Sequence, residues 1–509
     1  MATRLGRLAV ALTLAAAPVQ AQEPLSAIDW LSQSIATPAA QPLPPEPDVT
    51  TGALPSDVTV SVLGGPSPDA AGVLSSQVTG LPRDLWGLGR TDEIAALIRA
   101  ERTDALPALK DLLLRVLLAE ADAPPDAGGR GLLLLARLDK LLEMGALEQA
   151  AALIDAAASE DAQVFRRAFD VAILTGTEDR ACDRLRDAPD LAPTFPARIF
   201  CLARSGDWNA AALSLRTGQA LGQISEAEDA LLSRFLDPEL YEGDPPLTPP
   251  QPVTPLFWRM LDAVGEGLPT LGLPLAFSHA ELRDTAGWKA QIEAAERLSR
   301  AGVVTPNLLL GIYTARLPAA SGGVWDRVDA FQRFDTALAS GDVAQVAARL
   351  PVVWSRLSAA ELEVPFAALY GERLAALDLP PEAAVLAFRV ALLSPAYERA
   401  AIARVPATPE EAFLSGLARG DLAGTTPPDS LARAIAPAFG DTPPAADLMA
   451  LVEERRVGEA ILMAVDRIAR GVQGDMRGVT DGLALLRRLG LEDVARRTAL
   501  QLMLLERRG

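Results

Sequence analysis

The sequence predicts an all-α chain, a degenerate helical repeat array in two halves, and three observations carry that prediction. A Gly-Asp corner recurs: Phe334 to Val343 (FDTALASGDV) is echoed by Phe413 to Leu422 (FLSGLARGDL), with a cousin at Leu202 to Trp208 (LARSGDW). From about Pro82 onward apolar residues return at helical spacing, stretch after stretch, with little strand-like alternation. Pro238, Pro245, Pro246, Pro249, Pro250, Pro252 and Pro255 then crowd a short segment that cannot be helix interior, and so divide the pattern.

The corners follow from backbone chemistry. Glycine lacks a Cβ and takes the left-handed conformation that ends a helix, while a following Asp accepts from the free N–H groups that open the next one. The corner residues expected on this basis are Gly145, Gly206, Asp207, Gly341, Asp342, Gly420 and Asp421. Each copy is expected to turn an antiparallel helix pair.

Taken in order, Met1 to Arg7 is basic, Leu8 to Val19 is apolar, and Gln20-Ala21-Gln22 puts the small Ala21 at the expected cut. Those three zones predict a secretory signal over 1–21, cut after Ala21. The rival, an uncleaved anchor, needs ~20 apolar residues, more than this run supplies. No Cys stands near the cut to make a lipoprotein, the first being Cys182. Residues 22–80 are expected to be a Pro-rich, largely disordered tether, with Pro38, Pro42, Pro44, Pro45, Pro47 and Pro55 stiffening it. It carries a short apolar segment over 27–35, where Ile28, Leu31 and Ile35 share helical spacing around Trp30, and a β-branched run over 57–63. The apolar segment either docks on a partner or folds back on the body.

The first helical half spans 81–236. Thr91-Asp92 and Thr103-Asp104 are expected to open helices through Arg102 and Ala121, and Leu fills most inward positions from Gly131 to Met144. Gly145 then turns the chain into the Ala-rich Leu147 to Asp155, and further pairs are expected over 161–187 and 195–236. A linker or long surface loop follows over 237–255. The second half, 256–509, is read as helices over 255–264, 284–300, 307–316, 323–340, 342–357, 361–377, 380–393, 409–419, 430–438, 448–456, 457–470, 475–489 and 491–508.

The Leu-rich helix, Gly145 corner and Ala-rich helix over 131–158, and the similar stretch over 200–220, resemble a tetratricopeptide repeat. Gly145, Gly206, Gly341 and Gly420 do not keep the ~34-residue period of that repeat, so the resemblance is to the helix-pair solenoid class and to no particular family. What it implies is a concave face that binds peptides or proteins.

Composition narrows the function. With 66 acidic against 47 basic residues the chain carries −19, and removal of a signal containing Arg4 and Arg7 makes it more acidic. Such a surface repels phosphate backbones and anionic lipids, so nucleic acid is not expected as a partner. No later stretch is long and apolar enough to span a membrane, and a soluble periplasmic product is expected. Lys110, Lys140 and Lys289 are the lysines in a chain rich in Arg, Ala and Pro, the bias of a GC-rich bacterial genome. Cys182 and Cys201, at a spacing unlike Cys-x-x-Cys, are expected to form a disulfide in an oxidising compartment, the alternative being two buried thiols.

Catalytic motifs are scarce. His279 is the single histidine, so Ser-His-Asp and Cys-His chemistry would have to run through it; its place at a presumptive helix start gives it a capping or surface role. No metal or cofactor is expected. The loop Ala319 to Asp326 lacks the lysine of a phosphate-binding loop, yet Arg316, Ser321, Gly322, Gly323 and Trp325 make it a candidate partner contact, together with Trp30 and Leu31. Glu361 with Glu363, Glu410 with Glu411, and Glu453 with Glu454 are the acid pairs a glycan-cleaving enzyme would need; each is also what a solvated helix terminus contains. Some lytic transglycosylases carry a helical superhelix, but the Glu-Ser motif and Gly-Leu-Met-Gln run of their catalytic domain are absent. The expected function is a non-catalytic scaffold or adaptor for another envelope protein or peptide. The alternatives are a peptidoglycan hydrolase or lyase, and a small-molecule binding protein with a pocket lined by Trp258, Trp288 or Trp325.

Overall fold

The computed structural model describes residues 67–471 and 474–505. Over those residues the chain is an all-α solenoid of packed helix pairs, with a single isolated bridge between Leu74 and Ala119. The expected signal, the apolar segment with Trp30 and Leu31, and the run over 57–63 lie outside the described residues.

The first half comprises α1 (Thr91–Ala100), α2 (Pro107–Leu118), α3 (Leu132–Glu143), α4 (Leu147–Ala157), α5 (Ala162–Thr175), α6 (Glu178–Asp187), α7 (Phe195–Arg204), α8 (Trp208–Ala220) and α9 (Glu226–Leu236). Beyond the Pro-rich stretch come α10 (Pro255–Ala263), a 3-10 helix over Leu275–Leu282, α11 (Trp288–Ala301), α12 (Pro306–Thr314), α13 (Val324–Ser340), α14 (Val343–Ser358), α15 (Glu363–Ala375), α16 (Pro381–Leu392), α17 (Tyr397–Ala403) and α18 (Pro409–Arg419). The array ends with α19 (Ser430–Ile435), α20 (Ala446–Glu453), α21 (Val457–Gly471), α22 (Met476–Arg488) and α23 (Glu492–Leu504). Sequence neighbours pack as pairs, α7 on α8, α13 on α14, α15 on α16 and α21 on α22.

Most corners behave as backbone chemistry requires. Gly145, Gly206, Gly341 and Gly420 all take positive φ. Asp207 accepts from the Ala210 N–H at 3.0 Å and Asp342 from the Gln345 N–H at 3.0 Å, each opening the next helix. Asp421 does not: it accepts from the Ala423 N–H, and the chain runs as a loop until Asp429 caps α19. The reason is local, since Thr425, Pro427 and Pro428 follow Asp421 and the two prolines lack the N–H groups that a helix continues with. Cys182 on α6 and Cys201 on α7 are joined, with Cα atoms 5.0 Å apart.

Three features differ from expectation. Residues 67–80, placed in the tether, pack on the body: Asp69 is fully buried and accepts from the Leu134 N–H at 2.8 Å. Gly131 precedes α3 and has no side chain to cap it, so Asp69 supplies the cap from a distant segment. Arg137, also buried, then ties this segment down by donating to the carbonyls of Ala71, Leu117 and Ala119. Second, α10 belongs by packing with the first half, sharing a core with α5, α7 and α9, so the change of core falls after the Pro-rich stretch and not at it. Third, Thr103-Asp104 does not open a helix, whereas α1 does open at Thr91 as expected. Thr91 is already helical, its amide and hydroxyl both held by Asp126, and α2 starts only at Pro107.

The halves are joined by one continuous core that runs from Leu81 to Ile154 and on through the second half to Leu505. Helix α2 touches α11 near the start of the second half and α23 at its end, while α21 packs on α1. Gly458 lets that last contact form: its N–H donates to the Leu85 carbonyl at 2.7 Å, and a Cβ there would lie 2.6 Å from Trp86. The array therefore closes on itself.

Candidate functional site

Where distant stretches of the chain meet lies an open cavity of about 940 Å3. Its wall draws on stretches far apart in sequence: Asp104 and Lys110, Arg297 and Arg300 on α11, Trp354 to Glu363 at the α14–α15 turn, Leu386 to Leu393 on α16, and Leu504 on α23. The last piece is set by a hydrogen bond from the Ala108 N–H to Gln501 Oε1 at 2.8 Å, which fastens α23 across the start of α2.

One side is cationic. Lys110, almost fully buried, donates from Nζ to the Arg300 carbonyl at 2.7 Å. Arg300 donates from Nε to the Ala360 carbonyl at 2.9 Å and lies 3.7 Å from the Glu361 carboxylate. Arg297 gives its two terminal nitrogens to the carbonyls of Thr270 and Leu273 at 2.9 and 3.0 Å, and burial holds it below the ordinary guanidinium range. Arg389 pairs with Glu410 at 2.8 Å. Asp104, Glu361 and Glu363 line the same cavity among them, with Asp104 held below the ordinary carboxylate range by its hydrogen bond to Arg102. Trp354, Leu386, Leu393 and Leu504 complete an apolar side.

Glu361 occupies a special position. It has φ +55° at the turn after α14, the place that glycine takes at the other corners, and the Leu362 N–H closes the turn onto the Leu357 carbonyl. A side chain in that conformation costs on the order of 1 kcal/mol, which glycine would avoid.

The sequence-named residues are dispersed. Ser321, Gly322 and Gly323 form an exposed turn in which the Gly322 N–H donates to Asp326 at 2.8 Å. Arg316 is exposed and shares a surface hollow with Arg333 and Arg349. Trp325 is turned inward against Trp288, ring centroids 5.2 Å apart, so Arg316 and Trp325 are not gathered into one patch. Trp258 is buried and donates to the Leu268 carbonyl; the cavity tryptophan is Trp354. Of the acid pairs, Glu361 with Glu363 faces the cavity. Glu411 is committed to Arg404, and Glu454 to Arg456.

His279 is a correction. It lies in the 3-10 helix, is 8% exposed, and places Nε2 2.7 Å from the Gly145 carbonyl. Burial lowers its pKa. A neutral ring donating Nε2–H to a helix corner fastens the second half to the first, because the same corner has Leu275 where a Gly145 Cβ would point. Sequence gave little sign of Arg297, Arg300, Arg389 and Trp354, which are ordinary helix-surface residues until the circuit closes. Lys110 carried a weak sign, being one of few lysines in an Arg-rich chain and set within the apolar run from Leu106 to Leu118.

Among the described residues no group of His, Cys, Asp and Glu is arranged to hold a metal ion, and no helix is long and apolar enough to cross a membrane. Compared with known proteins, the chain matches no protein-family profile, no curated protein and no solved structure.

Proposed function

We propose that the chain is an exported, non-catalytic adaptor of the bacterial envelope that holds a segment of a partner protein in the central cavity. The observation that carries this reading is the two-signed, half-apolar wall assembled by closure of the array. A peptide segment has donors, acceptors and apolar side chains in one ligand, and so matches such a wall, whereas a simple ion or a hydrocarbon does not. The signal-like start and the Cys182–Cys201 bridge support an oxidising, exported setting. The tethered segment around Trp30 and Leu31 is a second contact in this reading, and the exposed turn of Ser321, Gly322 and Gly323 a third.

A photo-crosslinking residue at Ser355, on the cavity wall, tests it in the native envelope against the same residue at Leu213, exposed on α8. A discrete protein adduct from position 355 alone is expected. Equal or absent adducts at both positions would count against partner capture in the cavity, and a cytoplasmic, uncleaved chain would count against export.

Glu361 supports a second reading, because a strained carboxylate beside Glu363 on a cavity wall suits a glycan-cleaving acid pair. Clearing of a peptidoglycan zymogram that is lost in both Glu361→Gln and Glu363→Gln would favour it over the adaptor.

A further inference from the structure

A second cavity, of about 540 Å3, shares no wall residue with the first. It lies in the disulfide-bearing part of the chain, with Arg166, Phe169 and Asp170 of α5 on one side. The rest of the wall comes from Pro189 to Thr194 and the first turn of α7 to Arg198, the α9 residue Glu228, and Gln251 to Phe257 around the start of α10. Its volume falls within the ~300–1,000 Å3 common for small-ligand sites.

Asp170 sets its chemistry. The residue is 7% exposed, lines the cavity, and makes no hydrogen bond or ion pair among the described residues. A buried carboxyl that no protein group hydrogen-bonds is able to accept from a ligand on its cavity side. Burial pushes this carboxyl up to about 7, while Arg166 and Arg167 pull it down. Arg167 is itself spent on Asp139, through hydrogen bonds at 2.6 and 2.9 Å. Arg166, also buried, stands next to Asp170 on the wall.

The charges on this wall oppose one another. Arg166 and Arg198 disfavour a cationic ligand, and Asp170 and Glu228 disfavour an anionic one. A hydroxyl is both donor and acceptor, so neighbouring hydroxyls serve a carboxylate and a guanidinium at once. Gln223 and Gln251 add planar groups that do both, and the half-buried Phe195 offers the apolar surface on which the C–H face of a sugar ring lies, while Phe169 and Phe257 belong to the core. The hydroxyls of Thr194 and Thr254 are not free for this, since they cap α7 and α10.

We infer that this cavity binds a neutral carbohydrate, with Asp170 and Arg166 pairing its hydroxyls and Phe195 covering its ring. The inference stands apart from partner capture in the central cavity, because a different wall carries it.

The test is calorimetric titration of the whole mature chain with maltose, trehalose and N,N′-diacetylchitobiose, beside spermidine and glucuronate as charged probes. Saturable binding of at least one neutral sugar is expected, weakened at least tenfold in Asp170→Asn with the thermal midpoint kept. Gln251→Ala, on an exposed turn, is expected to weaken the same sugar and keeps the test decisive if the Asn variant misfolds. Sugar binding that survives both substitutions would overturn the site. So would saturation by spermidine or glucuronate alone, or the absence of any saturable sugar.

Discussion

Glu101 is a buried acid whose consequences are measurable. It follows α1, is 6% exposed, and burial pushes its carboxyl up to about 8; Asp466 adds repulsion, and Lys140 and Arg470 pull the other way. The unfolded carboxyl titrates near 4.5. Between those values the folded protein keeps a proton that the unfolded chain has released, so stability is fully present below the lower value and falls as pH rises toward the upper one. At about 1.4 kcal/mol for each pH unit, a rise from pH 5 to pH 8 removes roughly 3 kcal/mol through this group alone. Glu101→Gln keeps the shape and cannot ionise. Lys140 keeps its partners in that variant, because it donates to the backbone carbonyls of Arg99 and Glu101 and pairs with Glu143. Urea unfolding followed by circular dichroism should find the two proteins within about 1 kcal/mol at pH 5 and the Gln variant more stable by about 3 kcal/mol at pH 8. Parallel pH profiles would refute the burial argument.

Other outcomes follow from the same coordinates. Gly145→Ala should lower the thermal midpoint well beyond Gly206→Ala: both have positive φ, worth about 1–2 kcal/mol each, but only the Gly145 Cβ would meet Leu275, at 2.9 Å. Asp342→Ala should cost about 1 kcal/mol in urea unfolding by removing a helix cap, and Asp421→Ala less, since no helix starts there. Replacing Cys182 and Cys201 together by Ser should cost about 3 kcal/mol, the loop entropy of a 19-residue separation, and should abolish any effect of reductant on the melting curve.

What sequence revealed is what depends on neighbours along the chain. The corners at Gly145, Gly206 and Gly341 were visible because a left-handed glycine is a local requirement, joined at the last two by an Asp that caps the next helix. The bridge between Cys182 and Cys201 was visible because few arrangements suit two cysteines at that spacing. What depends on distant partners was not visible. Asp69 capping α3, Asp126 holding Thr91 and His279 against Gly145 join segments whose approach no local pattern encodes. Helix α17 was missed for a different reason: seven residues between Pro395 and Pro406 are too few to show a period.

Closure also changes what the resemblance to helix-pair repeats implies. An open solenoid offers a long concave face to a folded partner, and its end helices need polar outer faces. Here the terminal helices turn apolar faces toward one another, α23 lying on α2 and α21 on α1. The inner wall of the array is thereby drawn into a cavity holding Lys110, Arg297, Arg300 and Glu361. A space of about 940 Å3 admits a few residues of extended chain and not a globular surface. If the cavity is where this protein meets its partner, the partner must present an end or an exposed loop. Trimming that terminus, or shortening that loop, should therefore abolish the adduct from position 355 while leaving the rest of the partner folded.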